Sequence, residues 1–236
     1  MRQATKVRED IRAGSDHFLR RVNPLIGCPL GELDYLRGHK DDFFGDLLRD
    51  EYTSSVNGVG SFIVLLDAAH GGQVSLTAGP GSGRYARLWL GDAADGYDTL
   101  DVDDGWVMIV RMKNNTSGGA WAIQFGAADA AGARYNRAGI NTLVSAANWM
   151  VQTNNGAAGS TASAVAFDTN WHWHTISAYP ITGGYQIDYW LDGGLIVSHT
   201  TNIEANARTP YLEVYSLDAT LRSANIDFWA VIPRNL

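Results

Sequence analysis

W-H-W-H-T-I-S-A-Y-P-I-T-G-G-Y-Q-I-D-Y-W-L-D-G-G, Trp171 to Gly194, is the stretch whose reading decides the fold. Two alternating runs flank a turn marked by Pro180 and Gly183-Gly184, and a second turn follows at Asp192-Gly193-Gly194. Successive side chains of a strand point to opposite faces. Tyr185, Ile187, Tyr189 and Leu191 therefore share one face, and Gln186, Asp188 and Trp190 the other. Leu195 to Thr200 begins another β-rich run, so the stretch predicts a three-strand antiparallel meander.

The same alternation recurs on both sides of it. Ser61–Leu66, Gln73–Thr77 and Tyr85–Leu90 read as strands between glycine-rich turns. Trp106, Met108, Val110 and Met112 share a face opposite Arg111 and Lys113, and Trp121, Ile123 and Phe125 form an inward row opposite Gln124. Trp149, Val151 and Thr153 face away from Gln152 and Asn154. In the last strand Ile226, Phe228 and Ala230 fall on one side, Asp227 and Trp229 on the other. Gly156 to Ala164, built from Gly, Ala, Ser and Thr, reads as a mobile loop. Many short alternating strands separated by turns predict an all-β, two-sheet antiparallel sandwich. A chain of 236 residues fits one such domain.

The first forty residues differ. Val7, Ile11, Phe18, Leu19 and Val22 recur near a helical period, until Asn23-Pro24 and Cys28-Pro29 interrupt it. The division expected is a short helical and extended arm over 1–40 and a sandwich over 41–236. Residues 1–40 carry eight Lys/Arg and five Asp/Glu, a net of +3; the remainder carries ten and twenty, a net of −10. An acidic body repels nucleic acid, and an arm of +3 is too weak to track phosphates. No apolar run approaches the roughly 18 residues of a membrane span, and no secretory signal is visible at the N-terminus. The lone Cys28 has no internal disulfide partner, which points to synthesis in a reducing cytoplasm.

Several motifs resemble a known family. They are the W-x-W/H strand at Trp171, Y-x-I-x-Y-W-L-D-G at Tyr185–Gly193 and the T-N-I that follows at Thr201. D-D-F-F-G at Asp41–Gly45 and L-T-A-G-P-G-S-G-R-Y-A at Leu76–Ala86 fit as well. So do R-M-K at Arg111–Lys113 and the closing N-I-D-F-W-A-V. Together they resemble the concanavalin A-like (LamG-like) lectin and glucanase jelly rolls found in tailed-bacteriophage virion structural proteins. The resemblance implies a jelly-roll sandwich over 41–236 and a place in a virion assembled from protein made in the host cytoplasm.

Relatives of that fold include glycoside hydrolases, so catalysis is tested first. Retaining hydrolysis needs two carboxyls about 5 Å apart, and the resemblance places them in an E-x-D-x-E strand. Glu9, Glu32, Glu51, Glu204 and Glu213 are not spaced that way, and Asp188 stands between Gln186 and Trp190. Asp101 and Asp103 have an i, i+2 spacing but adjoin the turn Asp104-Gly105. No catalytic residue and no enzymatic activity are expected.

His172 and His174 share a strand face, a spacing that suits two zinc ligands, but no third ligand is evident, so no metal is assigned. Gly91 to Gly105 carries six aspartates that could offer oxygens to calcium, against the plainer account of a solvated turn. No other cofactor is expected. The remaining polar set is Gln124, Gln152, Asn154, Gln186, Asp188, Trp190, Asp227 and Trp229. Amides, carboxylates and indoles suit either a glycan face or a subunit contact.

The leading expectation is a phage virion structural protein, a capsid decoration or cement protein that docks through its N-terminal arm. The first alternative is a carbohydrate-binding adhesin module of a tail or head fibre, and the second a glycoside hydrolase-like protein. The expected partners are other virion proteins, further copies in a homo-oligomer and cell-surface glycans, with neither nucleic acid nor membrane.

Overall fold

The computed structural model describes residues 39–41, 52–66, 72–91, 100–116, 119–129, 133–141, 148–206 and 208–233. The strands are β1 (His39–Asp41), β2 (Tyr52–Asn57), β3 (Phe62–Leu66), β4 (Gln73–Ala78) and β5 (Arg84–Leu90). Next come β6 (Trp106–Asn114), β7 (Trp121–Ala128), β8 (Arg134–Asn141), β9 (Asn148–Asn154) and β10 (Ala158–Ala166). The remainder are β11 (Trp171–Ile181), β12 (Gly184–Leu191), β13 (Gly194–His199), β14 (Thr209–Ser216) and β15 (Arg222–Pro233).

They form two antiparallel sheets. One is eight-stranded, in the order β13-β12-β11-β6-β15-β4-β3 with β1 paired to β15; the other runs β10-β9-β8-β7-β14-β5-β2. The chain crosses between them at β4 to β5 and at β14 to β15. The described residues are therefore an all-β sandwich, as the alternation predicts.

The inner faces carry the core. Trp106, Met108, Val110 and Met112 of β6 pack in one cluster with Trp121, Ile123 and Phe125 of β7 and Trp149 and Val151 of β9. Each strand contributes alternate residues, which is what two sheets about 10 Å apart require. The meander follows its expected register, with Ile176 opposite Tyr189 and Thr175 opposite Trp190. Its second turn is Asp192-Gly193, both at positive φ (49° and 83°), the geometry of a two-residue hairpin turn. Asp192 closes it by accepting the Trp173 amide at Oδ1 (2.9 Å).

Two expectations need correction. Gly156 to Ala164 is not a loop: Ala158–Ala166 is edge strand β10, paired with β9 from Ala158↔Asn154 onward. Its small side chains carry no apolar alternation, and pairing to β9 overrides composition. The second correction concerns β15. Ile226 pairs with Met112 and Phe228 with Arg111, so Asp227 is an extra, bulged residue. A bulge shifts the alternation by one. Trp229 and Val231 consequently face the core, while Phe228, Ala230 and Ile232 join Val107, Ile109 and Trp173 in a second apolar cluster on the outer side of the eight-stranded sheet.

The arm expected over 1–40 lies outside the described residues except for His39 and Lys40, which belong to β1 and pair with Val231 and Ala230. Cys28 lies outside them too. Among the described residues no helix is long and apolar enough to cross a membrane.

Candidate functional site

The outer face of the seven-stranded sheet gathers the polar and aromatic side chains. Three strands set it up by alternation. β5 turns Ala86 and Leu88 inward and Tyr85, Arg87 and Trp89 outward; β14 turns Leu212 and Val214 inward and Tyr211, Glu213 and Tyr215 outward. β7 turns Gln124 outward, together with Gly126 and Ala128, which present almost nothing. The register then lays out two rows across the sheet. One reads Trp89, Tyr211, Gly126, Arg137, Gln152, and its neighbour reads Arg87, Glu213, Gln124, Gly139, Met150.

The two glycines make the middle of this face a trough. At Gly126 a Cβ would run into the Asn136 carbonyl oxygen, and at Gly139 into that of Ile123, so neither position accepts a side chain. With Gly126 bare, Arg134 reaches from β8 across β7 to β14. Its Nε donates to Glu213 Oε1 at 2.6 Å, while Arg87 Nε donates to Glu213 Oε2 at 2.6 Å. The Glu213 side chain is fully buried, with one guanidinium on each oxygen. Burial works against the charge of Arg134, but Glu213 beside it outweighs that and holds its pKa above the usual arginine value.

Aromatic rings pack around these charges. Arg87 lies 4.9 Å over the Tyr85 ring and 4.8 Å over Trp89, and Arg134 lies 4.9 Å over Tyr215. Beyond Gly139, Gln152 Oε1 collects donors from Gln124 (2.8 Å), Asn141 (3.3 Å) and Arg137 (3.4 Å). Tyr211 is wholly buried, and burial pushes its phenol up to about 12.

Glu213 is the one carboxylate among the described outward residues of β5, β7, β8, β9 and β14. Both its oxygens are engaged. The described residues therefore assemble no pair of free carboxyls on this face.

The polar set read from sequence does not form one surface. Gln124, Gln152 and Asn154 belong to the trough sheet, where Asn154 Oδ1 accepts the Gly156 amide of the β9–β10 turn (3.1 Å). Gln186, Asp188 and Trp190 lie on the outer side of the other sheet. There Asp188 is buried and takes hydrogen bonds from Tyr179 (2.5 Å), Ser198 (2.6 Å) and Gln186 (2.8 Å), a structural network. Asp227 pairs with Arg111, and burial raises its carboxyl to about 6 despite that partner. Trp229 is in the core, stacked on Tyr52 at 5.6 Å. The residues that make the trough, Arg87, Arg134, Arg137, Tyr211, Glu213 and Tyr215, are absent from that set. Y-L-E-V-Y at Tyr211–Tyr215 and R-Y-A-R-L-W at Arg84–Trp89 were the signals that could have found them.

His172 and His174 do share a face, the inner one, with rings 6.1 Å apart. They do not converge on a metal. His172 bridges Asp192 through Nδ1 (2.6 Å) and Asp168 through Nε2 (2.8 Å), so its nitrogens point in opposite directions. His174 is fully buried and contacts Tyr189 Oη at 2.9 Å, and burial holds its pKa well below the histidine norm. Asp92, Asp95 and Asp98 of the aspartate-rich run lie outside the described residues. Within the described part, Asp101 caps the Asp103 amide (2.9 Å) and Asp103 accepts from Tyr185 (2.6 Å). Among the described residues no cluster of three or more His, Cys, Asp or Glu is placed to hold a metal.

The His172 bridge predicts a pH dependence. Burial alone would lower this pKa, but the hydrogen bonds and charges of Asp192 and Asp168 raise it above the usual 6.5. A raised folded-state pKa stabilises fully below the unfolded value and is lost as pH rises through the folded one. Stability should therefore decline as pH rises from about 6.5 through the folded pKa of His172, and the His172→Gln protein should lose that component. Denaturant melts of both proteins at several pH values, with an imidazole NMR titration, check it.

No family model matches the chain, and no curated protein matches it. Solved structures do. A β-1,3-1,4-glucanase (lichenase) derived from a mouse hindgut metagenome aligns with TM-score 0.58 at 18% identity, over 83% of this chain and 99% of that one. The Bacillus licheniformis β-glucanase aligns with TM-score 0.56 at 14% identity, over 83% and 97%. The fold is the concanavalin A-like lectin and glucanase sandwich. The Emp47p carbohydrate recognition domain shares it, with TM-score 0.53 at 10% identity, over 83% and 94%. Two longer chains also contain this sandwich, and this protein spans 43% of a botulinum neurotoxin type C chain and 17% of a sialidase chain. At these identities the likeness establishes the concanavalin A-like architecture and leaves the activity to the side chains.

Proposed function

We propose that this sandwich is a carbohydrate-binding module that does not hydrolyse what it binds. The observation that carries it is the trough over Gly126 and Gly139, walled by Tyr85, Trp89, Tyr211, Tyr215, Gln124 and Gln152, with its one carboxylate locked between Arg87 and Arg134. Sugars are held by aromatic faces and by a few placed hydrogen-bonding groups, and the trough supplies both. A carboxylate with a guanidinium on each oxygen is a poor proton donor and a poor nucleophile. That supports binding without cleavage.

The sequence resemblance supports a further step: the module is displayed on a phage particle. A trough of this make-up favours the fibre adhesin over the capsid decoration protein, whose docking arm lies outside the described residues.

A glycan array probed with the whole chain should show a defined set of ligands. Tyr215→Ala, which removes a half-buried ring at the edge of the trough, should weaken binding by more than about 1 kcal/mol while the fold survives. Incubation with β-glucans should release no reducing ends. A blank array for the folded protein would remove the binding half of the proposal, and sustained release of reducing ends the non-hydrolytic half.

A further inference from the structure

Resting on that reading, we propose that the trough selects a saccharide bearing a carboxylate, a uronic or a sialic acid unit, with the carboxylate seated over Gly126 between Arg137 and the Tyr211 hydroxyl.

The charges on this face do not close without it. Arg87 and Arg134 share Glu213. Arg137 has only neutral acceptors: Gln152 Oε1 at 3.4 Å, the Arg134 carbonyl at 2.8 Å and the Tyr135 carbonyl at 3.4 Å. Its guanidinium is half-buried, beside the like charge of Arg134. Burying a cation without a counter-ion is costly, and the usual remedy is an anion with geometry to match the planar fork.

A second, independent orphan stands opposite. Tyr211 is completely buried and its hydroxyl has no hydrogen-bond partner. Such groups are rare in folded proteins, and each one marks something that completes it. Tyr211 and Arg137 occupy the same row, each paired with Gly126 from opposite sides. Their backbones therefore stand about two strand spacings apart, roughly 9–10 Å, and no side chain lies between them. A carboxylate placed there accepts from the guanidinium with one oxygen and from the phenol with the other. A neutral sugar hydroxyl satisfies Tyr211 but leaves Arg137 uncompensated. Access is from the side of Arg134, Tyr135 and Arg137, all half-buried rather than closed off.

The local sign is also opposite to that of the body. Residues 41–236 carry ten Lys/Arg against twenty Asp/Glu. Three arginines against one glutamate on this face form a positive island in an acidic molecule, so an anion is drawn to the trough by close contact rather than by the field of the whole protein.

The test uses the full chain and an array carrying oligouronates, sialosides, sulfated glycans and neutral β-glucans. Binding to oligouronates or to sialosides is expected, and which of the two identifies the source. The methyl esters of the same ligands should bind at least tenfold more weakly to the wild type, as should the unmodified acids to Arg137→Gln. Equal affinity for acid and ester overturns this inference but leaves glycan binding intact. So does a preference for sulfated or neutral glycans. A blank array for the folded wild type overturns both. Should Arg137→Gln fail to fold, the comparison of acid and ester on the wild type decides alone.

Discussion

Glu213→Ala is expected to lose about 3–5 kcal/mol of folding stability, the scale for removing one partner of a buried ion pair. Glu213 is fully buried and compensates Arg87 and Arg134 together, with those two guanidinium groups 7% and 27% exposed at the side chain. The variant leaves two cations on one desolvated face beside a third, Arg137, that already lacks a carboxylate. The loss should be unevenly recoverable. A triple variant with Glu213, Arg87 and Arg134 all replaced by apolar residues of similar size should regain most of it, because removing the whole triad also removes its desolvation cost. Urea unfolding of wild type, single and triple variants measures this. A single variant within about 1 kcal/mol of wild type would mean that the triad is solvated and that the trough does not have the dry floor described here.

Trp229→Ala should be comparably severe, about 3–5 kcal/mol, since it empties a large fully buried site. The ring is 0% exposed and stacks on Tyr52, which joins β15 of one sheet to β2 of the other across the core. Trp190→Ala is the control. Trp190 is half-buried on the outer side of β12, and its loss should cost less than half as much. Chemical denaturation of the pair settles it, and equal losses would place both indoles in equivalent surroundings. The contrast matters because simple alternation puts the two tryptophans on the same kind of polar face.

How far the sequence could be read depended on whether a strand's two faces differ in a single pattern. The meander from Trp171 to Gly194 is legible because apolar inner residues alternate with polar outer ones and the turns carry glycine. β6, β7 and β9 are legible for the same reason. No strand is expected over 134–141 or 209–216, yet these are β8 and β14, the strands that carry the trough. Their inner faces hold only small or few apolar residues, such as Ala138 and Ile140, while their outer faces hold Arg, Tyr and Glu buried by one another rather than by aliphatic neighbours. A binding face is built from residues that violate the simple rule of apolar inside and polar outside, so the pattern that reveals the core conceals the site. The individual groups were still visible as Y-x-E-x-Y and as arginines separated by tyrosines and glycine. Which arginine pairs with Glu213 depends on strand order, and no local pattern encodes that.

Asp227 sets the parity of the last strand. Ahead of it the even-numbered residues Ala224 and Ile226 enter the core, and behind it the odd-numbered Trp229 and Val231 do. Deleting that single residue, a change that costs almost nothing in composition, would put Trp229 and Val231 out to solvent and bring Phe228, Ala230 and Ile232 in. A gap placed one position to either side in an alignment would do the same on paper. Insertions and deletions within 222–233 should therefore be far less tolerated than substitutions, and saturation of the segment with single-residue indels, scored by soluble yield, would map the parity directly.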